Sequence, residues 1–419
     1  MTSIYTDYMY SYPHKTAYRL FPPLSLVSRL EMLQGSCASL YFHIPFCRSK
    51  CAYCNLFSLP GCDSEFIDTY LHAVARQAAQ LAPLAGGLRF DSFAIGGGTP
   101  LLLTPKQLDK LLSLASLFHV DPQTVYTSVE TSPEYADKER LDVLRRFGVS
   151  RLSIGIQSFR DDELSALGRR PRRADIYPAL ERICQAGFPT LNIDLIYGIK
   201  GQTPESLLYS LREALQFGPD ELFIYPLYVR RGTGIRERED DDVCLRLYFT
   251  ARDYLLVQGF RQTSMRRFVR RVDAETHSCG DEVMLSCGAG GRSYLGDLHC
   301  ATRYSVRPGH IRDVLQCYVG TADYTVVDNG IFLAPDEQRR RYIIKNLLYY
   351  AGMDKEEYQT RFGQSVDADP LFASLAERGW LVDDGRHIRL TDEGMSRSDF
   401  IGPLFISPAI RARMDTYDY

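Results

Sequence analysis

Six short β-rich runs, at 40–43, 92–95, 125–130, 151–156, 190–195 and 221–227, recur along the first half of this 419-residue chain. Each pair of runs is separated by enough residues for one helix. The spacers carry apolar residues three and four apart, as in Phe66, Ile67, Tyr70, Leu71 and Val74, or in Leu108, Leu111, Leu112 and Ala115. Thr104-Pro105 and Thr203-Pro204 set a hydroxyl N-cap before a first-turn proline, and Gly148, Gly187 and Gly218 stand where helices should stop. A repeated strand–helix unit is satisfied by a parallel sheet with its helices outside, either barrel-like or doubly wound. The length suffices for one domain of roughly 250–300 residues and a smaller one.

The residues with chemical potential fall at the carboxyl ends of these runs. Cys47 follows the first and Gly96-Gly97-Gly98-Thr99-Pro100 the second; Glu130 ends the third and Gln157 follows the fourth. Asp194 and Tyr197 close the fifth, and Tyr225 and Tyr228 the sixth. In βα barrels that face carries the active site. Asp194 interrupts an otherwise apolar strand, where an ionised carboxylate is costly unless it is paired or hydrogen-bonded. Gln157 is a similar polar intrusion, with a satisfied core amide as the plain alternative. The glycine triplet lets backbone approach a ligand closely, although a tight turn needs no ligand.

The segment after the first run holds Cys47, Cys51 and Cys54 at spacings of four and three. Three thiolates on one loop can hold three corners of a cubane iron–sulfur cluster, which normally takes four cysteines. An iron without a protein ligand is an open, reactive position. A structural zinc held by His43, Cys47, Cys51 and Cys54 is the competing reading.

Composition narrows the field. The net charge is −3, which argues for neither nucleic acid nor membrane. No apolar run approaches the roughly 20 residues of a membrane span. The N-terminus, with Asp7 and Pro13, lacks the basic-then-apolar pattern of a signal peptide. Eleven mostly scattered cysteines do not form a disulfide framework, so a cytoplasmic location is expected.

The run Tyr41-Phe-His-Ile-Pro-Phe-Cys47 with its C-x₃-C-x₂-C loop resembles the radical S-adenosylmethionine (SAM) superfamily, and its flanks resemble the oxygen-independent coproporphyrinogen III oxidase-like branch. Further matches are Gly96–Pro100, Arg151–Phe159, Asn192–Gly198, Gly288–Asp297 and the N-terminal Tyr10-Ser-Tyr-Pro13. The resemblance implies an incomplete (βα)6 TIM-like barrel, an α/β fold, with a [4Fe–4S] cluster on Cys47, Cys51 and Cys54. It implies SAM bound to the fourth iron and cleaved reductively to a 5′-deoxyadenosyl radical. Tyr53 is then expected near the adenine, Gly97, Gly98 and Thr99 at the methionine part, and Glu130 and Arg169 at its polar ends. Gln157 and Asp194 take the ribose hydroxyls, and Tyr41 lines the cavity. An electron donor such as flavodoxin or ferredoxin is implied.

The departures bear on the substrate. Relatives that oxidise coproporphyrinogen carry a further cysteine two residues after the third, where this chain has Asn55-Leu56-Phe57. Lys200 replaces a usual proline, and Arg292 stands at a position that is apolar in those relatives. The haem-chaperone branch shares the three-cysteine loop but carries Asp-Phe after it. Tyr10–Arg19 with Cys54–Phe57 resembles a separate bacterial subgroup. Three functions follow: a SAM-cleaving enzyme acting on an unidentified small molecule or peptide, with a tetrapyrrole-like compound as a candidate; a haem-binding chaperone; or a methyl or methylene transferase using two SAM molecules. Tyr228 and Arg292 are the substrate-side candidates, and Arg230 joins Arg292 as a candidate carboxylate clamp.

After residue 330 the pattern changes. Helices are expected over 335–350, 355–362 and 371–378, then a hairpin with an Asp384-Gly385 turn. This suggests a winged-helix-like α+β cap acting as a lid, since the run Arg339–Arg341 is too short and too diluted by acids to read as a nucleic-acid stripe. The expected divisions are an N-terminal arm over 1–35, the partial barrel over 36–260, an extension over 261–330 and the cap over 331–419.

Overall fold

A computed structural model describes residues 3–5, 9, 11–170, 172–270 and 283–418. Asp7 and Tyr10 of the expected arm, and residues 271–282 of the expected extension, lie outside the described residues.

Six strands form at the six β-rich runs: β1 (Cys37–Ile44), β2 (Arg89–Gly97), β3 (Tyr126–Thr131), β4 (Arg151–Gln157), β5 (Thr190–Tyr197) and β6 (Glu221–Pro226). They pair in parallel and in chain order. Between them run the helices α1 (Ser64–Leu81), α2 (Pro105–Ser113), α3 (Lys138–Arg146), α4 (Arg173–Ala186) and α5 (Pro204–Leu215), with α6 (Asp241–Val257) after β6. The helices start where the sequence says. Thr104 accepts from the Gln107 amide while the Gln107 side chain returns to Thr104, and Thr203 and Ser206 do the same for α5. Gly187 ends α4 in the left-handed region that glycine tolerates best.

The sheet does not stop at six strands and does not close. It is an open, thirteen-stranded sheet. Beyond β6 lie β7 (Arg267–Val269), antiparallel, and the two-residue strand Arg261–Gln262. Beyond β1 lies β8 (Met284–Cys287), which pairs with it in parallel. The antiparallel strands β9 (Arg292–Leu295), β10 (Leu298–Ala301), β11 (Val326–Phe332) and Arg19–Ser25 complete that side. The second glycine-rich segment is therefore the turn between β8 and β9, set beside β1. Four-residue strands buried at almost every position show no alternation, which is why the sequence period ends at β6.

Inside this sheet the charges at the amino ends of the strands are paired. Glu221 is almost wholly buried; it accepts from Arg151 Nε at 2.8 Å and from the Arg267 guanidinium. Arg151 also donates to Ser128 Oγ at 3.1 Å. This triad ties β3, β4, β6 and β7 together below the chemically interesting end.

The C-terminal part follows the expected order, with helices Pro335–Leu347, Lys355–Phe362 and Pro370–Glu377. Leu381–Asp383 and His387–Leu390 form the hairpin, and Met353–Asp354 adds a third strand. Three further helices, Asp392–Ser396, Ser398–Leu404 and Pro408–Asp415, are too short to show a helical period in the sequence. Arg339 and Arg340 both pair with Asp336. The apolar core of this part also takes Met9, Tyr12, Ala17 and Tyr18 from the N-terminal arm. Tyr12 is bonded to the Glu337 carboxylate.

Removing the Glu221 charge strands two guanidinium groups in the interior. Glu221→Gln should lower stability by about 3–5 kcal/mol, the cost typical of breaking a buried ion pair, read as a fall in the urea midpoint with an unchanged slope.

Candidate functional site

Two backbone turns meet at the carboxyl ends of β1 and β2. Gly98 N–H donates to Ile44 O and Thr99 N–H to Phe46 O, both at 2.8 Å. A Cβ on Gly98 would lie 2.5 Å from Phe46 O, and one on Gly97, where φ is +121°, would lie 2.8 Å from the His43 ring. No side chain fits between these turns. The entry to the cysteine loop is thereby fixed against the glycine turn, with Thr99 Oγ1 3.6 Å from Cys47 Sγ.

The rest of the loop is pinned from two other sides. Ala52 N–H donates to Leu167 O at 3.0 Å, and Gly234 N–H donates to Ala52 O at 2.6 Å. Arg169 Nη1 lies 3.5 Å from Cys51 Sγ and 3.2 Å from Tyr53 Oη, and its other terminal nitrogen donates to Gly155 O. Burial pushes the Cys47 thiol up to about 11 and moves Cys54 upward as well. The free loop thus carries neutral thiols there, and a bound cation is what would deprotonate them.

His43 is not left for a zinc ion. Its Nδ1 lies 3.0 Å from Tyr41 Oη and its Nε2 lies 3.2 Å from Phe57 O. Burial holds the ring down to about 3, hence neutral. With Nε2–H donating to the carbonyl and Nδ1 accepting from the phenol, both nitrogens are used. Among the described residues no three His, Cys, Asp or Glu side chains converge as the ligands of one ion do. Cubane ligation does not ask that of them, because each cysteine takes a different iron.

Beside the loop lies a set of polar groups on the carboxyl halves of β1 to β5. Glu130 Oε2 accepts from Gly97 N–H at 3.2 Å. A Cβ on Gly96 would lie 3.0 Å from both Glu130 Oε2 and Tyr41 Oη, so these two side chains meet over that glycine. Glu130 keeps exposed surface although protein packs densely around its carboxyl. Burial, then the charge of Asp194, push its carboxyl up to about 7. Asp194 accepts from Asn192 Nδ2 at 2.8 Å, and burial pushes it up to about 6.

Gln157 has φ +75°, rare for a residue with a side chain, at a bulge in the β4–β5 pairing. Its amide lies over Gly155, 2.7 Å from where a Cβ there would stand. Strain of this kind costs about 1–3 kcal/mol and persists where surroundings enforce it, commonly at binding sites. Two buried polar atoms of the same group, Arg169 Nε and Asn192 Oδ1, have no hydrogen-bond partner among the described residues.

The structure therefore gathers Tyr41, Gly97, Gly98, Thr99 and Glu130 beside Cys47, and Tyr53, Gln157 and Arg169 beside Cys51. Asp194 joins them through its charge on Glu130. Tyr228 is bonded elsewhere: it donates to Asp399 Oδ2 at 2.8 Å and accepts from Arg266 at 3.1 Å, within a buried Arg266–Asp399 pair. Arg292 is buried and donates to Ser11 Oγ. Residues that the sequence reading did not single out are Lys15, Asn192 and the structural role of His43. Lys15 lies in the Tyr-Pro-His-Lys run, and a lysine flanked by aromatic and proline residues is the available signal. A surface hollow of about 400 Å³ lined by Arg160, Glu163, Lys200, Ser206 and Tyr209 contains none of these residues.

This donor set fits an iron–sulfur cluster and a small zwitterionic ligand. Three thiols stand on one loop; a cradle excludes any Cβ; carboxyls and a guanidinium with unused hydrogen-bonding capacity lie beside it.

Comparison with known proteins agrees. Residues 41–214 match the model of the radical SAM superfamily, and residues 333–397 match the HemN C-terminal domain. The oxygen-independent coproporphyrinogen III oxidase of Salmonella typhimurium is 31% identical over 424 residues, covering 92% of this chain and 91% of that protein. The heme chaperone HemW of Bacillus subtilis is 27% identical over 372 residues, covering 85% of this chain and 96% of the chaperone. Among solved structures, coproporphyrinogen III oxidase (HemN) of Escherichia coli superimposes with a TM-score of 0.79 at 24% identity, covering 98% of each chain, which shows the shared fold. The chain belongs to the radical SAM superfamily, within its oxygen-independent coproporphyrinogen III oxidase-like (HemN/HemW-like) branch. Membership implies a [4Fe–4S] cluster and SAM.

Two outcomes follow from the geometry. Native Glu130 binds its proton up to about pH 7, whereas an unfolded glutamate releases it near 4.5. The native state thus holds the extra proton between those limits, and stability falls as pH rises through that window. Glu130→Gln should flatten the slope of melting temperature against pH there. Gln157→Gly should relieve the backbone and stabilise the ligand-free protein by about 1 kcal/mol, while weakening SAM binding about tenfold in calorimetric titration through loss of the amide.

Proposed function

We propose that this protein is a SAM-cleaving radical enzyme acting on a tetrapyrrole-like substrate, with Cys47, Cys51 and Cys54 holding a [4Fe–4S] cluster. When bound there, such a cluster would supply the one-electron chemistry for reductive cleavage of SAM.

The chain's own residues bind and orient. Glu130 faces the ammonium of the methionine part, and that positive charge draws the carboxyl back to its ionised form. Arg169 has an unused Nε for the carboxylate, and its Nη1 beside Cys51 favours the thiolate that iron requires. Gly97, Gly98 and Thr99 let the methionine part lie against backbone. Gln157 and Asp194 take the ribose hydroxyls, and Tyr53 and Tyr41 wall the adenine end. The six parallel strands are read as an incomplete (βα)6 barrel and residues 331–419 as a winged-helix-like cap that keeps water and oxygen out. A one-electron donor such as flavodoxin or ferredoxin completes the scheme. No described helix is long and apolar enough to cross a membrane.

The observation that carries this reading is the packing of the cysteine loop against the glycine turn. Thr99 of that turn lies against Cys47, and Gly97 of the same turn donates to Glu130. The tetrapyrrole class rests on the named activity of the Salmonella relative. Coproporphyrinogen itself is disfavoured, because the place of the relatives' further cysteine is held by Leu56, which is exposed. A second reading, haem binding without turnover, is favoured by the full-length match to the heme chaperone.

Anaerobically reconstituted protein with dithionite and SAM should release 5′-deoxyadenosine. Cys51→Ala should release none and should hold less iron and sulfide. Cluster-loaded wild type that releases none, yet binds haem stoichiometrically, would establish the chaperone reading instead.

A further inference from the structure

The cysteine loop sits among segments of one charge sign. Over the whole chain acids slightly outnumber bases, 52 to 49. Yet four stretches, 32–62, 164–174, 222–236 and 298–312, hold twelve lysines and arginines and no aspartate or glutamate. Distant in sequence, they meet at the loop. Ala52 N–H donates to Leu167 O at 3.0 Å, and Gly234 N–H donates to Ala52 O at 2.6 Å. Lys50 Nζ donates to Val306 O at 2.9 Å, and Tyr304 Oη to Asn55 O at 2.6 Å. A Cβ on Gly232 would stand 2.6 Å from the Val306 side chain, so the last two stretches also touch each other.

The charges on these stretches are at the surface. Arg48, Arg170, Arg231, Arg236, Arg303 and Arg307 are all exposed. Arg48 stands 3.9 Å from Glu134; among the described residues the other five have no carboxylate partner. Asp63 and Asp175, which bound two of the stretches, accept from the amides of Phe66 and Arg172, and Glu237 stays exposed beside Arg236. Two residues after Cys54, Leu56 is 44% exposed, and the three cysteines are only partly buried. Like charges gathered on one surface repel one another, and what they gain is faster encounter with a partner of opposite sign. An apolar side chain ringed by such charges has the layout of a small interface with a polar rim. Encounters for electron transfer use contacts of that modest size.

We propose that this basic rim around Leu56 is the docking surface for an acidic one-electron donor protein of the flavodoxin kind. This deepens the radical-enzyme reading and rests on it for the donor's purpose. The step is one electron and nothing else: the donor's flavin is oxidised by one electron, the cluster on the loop accepts it, and no bond to the protein forms or breaks. The rim sets the rate and orientation of encounter, because charges at the edge of an interface act chiefly on association and its salt dependence.

The test measures binding of a bacterial flavodoxin to the cluster-loaded protein by calorimetry, beside 5′-deoxyadenosine formation driven either by reduced flavodoxin or by dithionite. Wild-type affinity should fall about tenfold between about 50 and 300 mM salt, as screening shortens the reach of the charges. The double variants Arg231→Glu/Arg236→Glu and Arg303→Glu/Arg307→Glu should each bind about tenfold more weakly at the lower salt. Arg231→Lys/Arg236→Lys should bind as wild type does. Arg212→Glu, an exposed site in the last turn of α5 at the far end of the strands, should change nothing. Flavodoxin-driven turnover should drop with affinity, while dithionite-driven turnover and melting temperature stay at wild-type values. Full affinity in both reversal variants, the same loss in Arg212→Glu, or no binding by wild type at low salt would overturn the docking surface; dithionite-driven product would leave the radical-enzyme reading standing. If dithionite yields no product from wild type, that reading falls and calorimetry alone decides the surface: salt-sensitive binding lost in the reversal variants supports it, and its absence overturns it. A short RNA held more tightly than flavodoxin, with the same loss in the reversal variants, overturns the donor assignment.

Discussion

Everything at the reactive end depends on how closely two stretches of backbone approach each other. Gly98 rests on Phe46 with no room for a single carbon between them, and two short hydrogen bonds lock the contact. That contact sets the position of Cys47 relative to the end of β2, and therefore relative to everything β2 and β3 present. A loop bearing three thiols is of little use unless its orientation is known to the ligand beside it. Here rigidity comes from main-chain atoms, the part of the molecule with fewest alternatives.

The second organising element is charge held at a cost. Glu130 and Asp194 stand together, both biased toward their neutral forms. Gln157 keeps an unfavourable backbone angle. Arg169 leaves one nitrogen unsatisfied while its others hold Cys51, Tyr53 and Gly155. Each is a small debit alone. Together they leave a polar surface with hydrogen-bonding capacity to spare, which the proposed SAM ligand would use. The stabilising work is done at the other end of the sheet, where Glu221 is shared between Arg151 and Arg267.

The sequence made the six parallel strands and their caps legible, because hydroxyl–proline pairs and the three-four apolar spacing are local signals that tertiary packing did not override. The cysteine loop and the glycine turn were legible for the same reason. The seven added strands were not. Five of them have only two to four residues and no period to read, the other two pair with each other from distant parts of the chain, and β8 joins β1 across nearly 250 residues, a pairing that only the folded sheet defines. Tyr228 and Arg292 were picked out by position, but their partners, Asp399, Arg266 and Ser11, come from distant segments. Lys15 reads as an ordinary surface lysine until the arm is seen to be buried.

That burial has a consequence in time. The arm lies in one apolar core with Tyr342, Ile401 and Phe405, and Lys15 reaches Gly290. The arm is therefore made before the distant segments it packs against and waits for them. The barrel strands and the cysteine loop precede that moment in the chain. Synthesis therefore leaves an interval in which the cysteine loop exists before the arm and the C-terminal helices have come together.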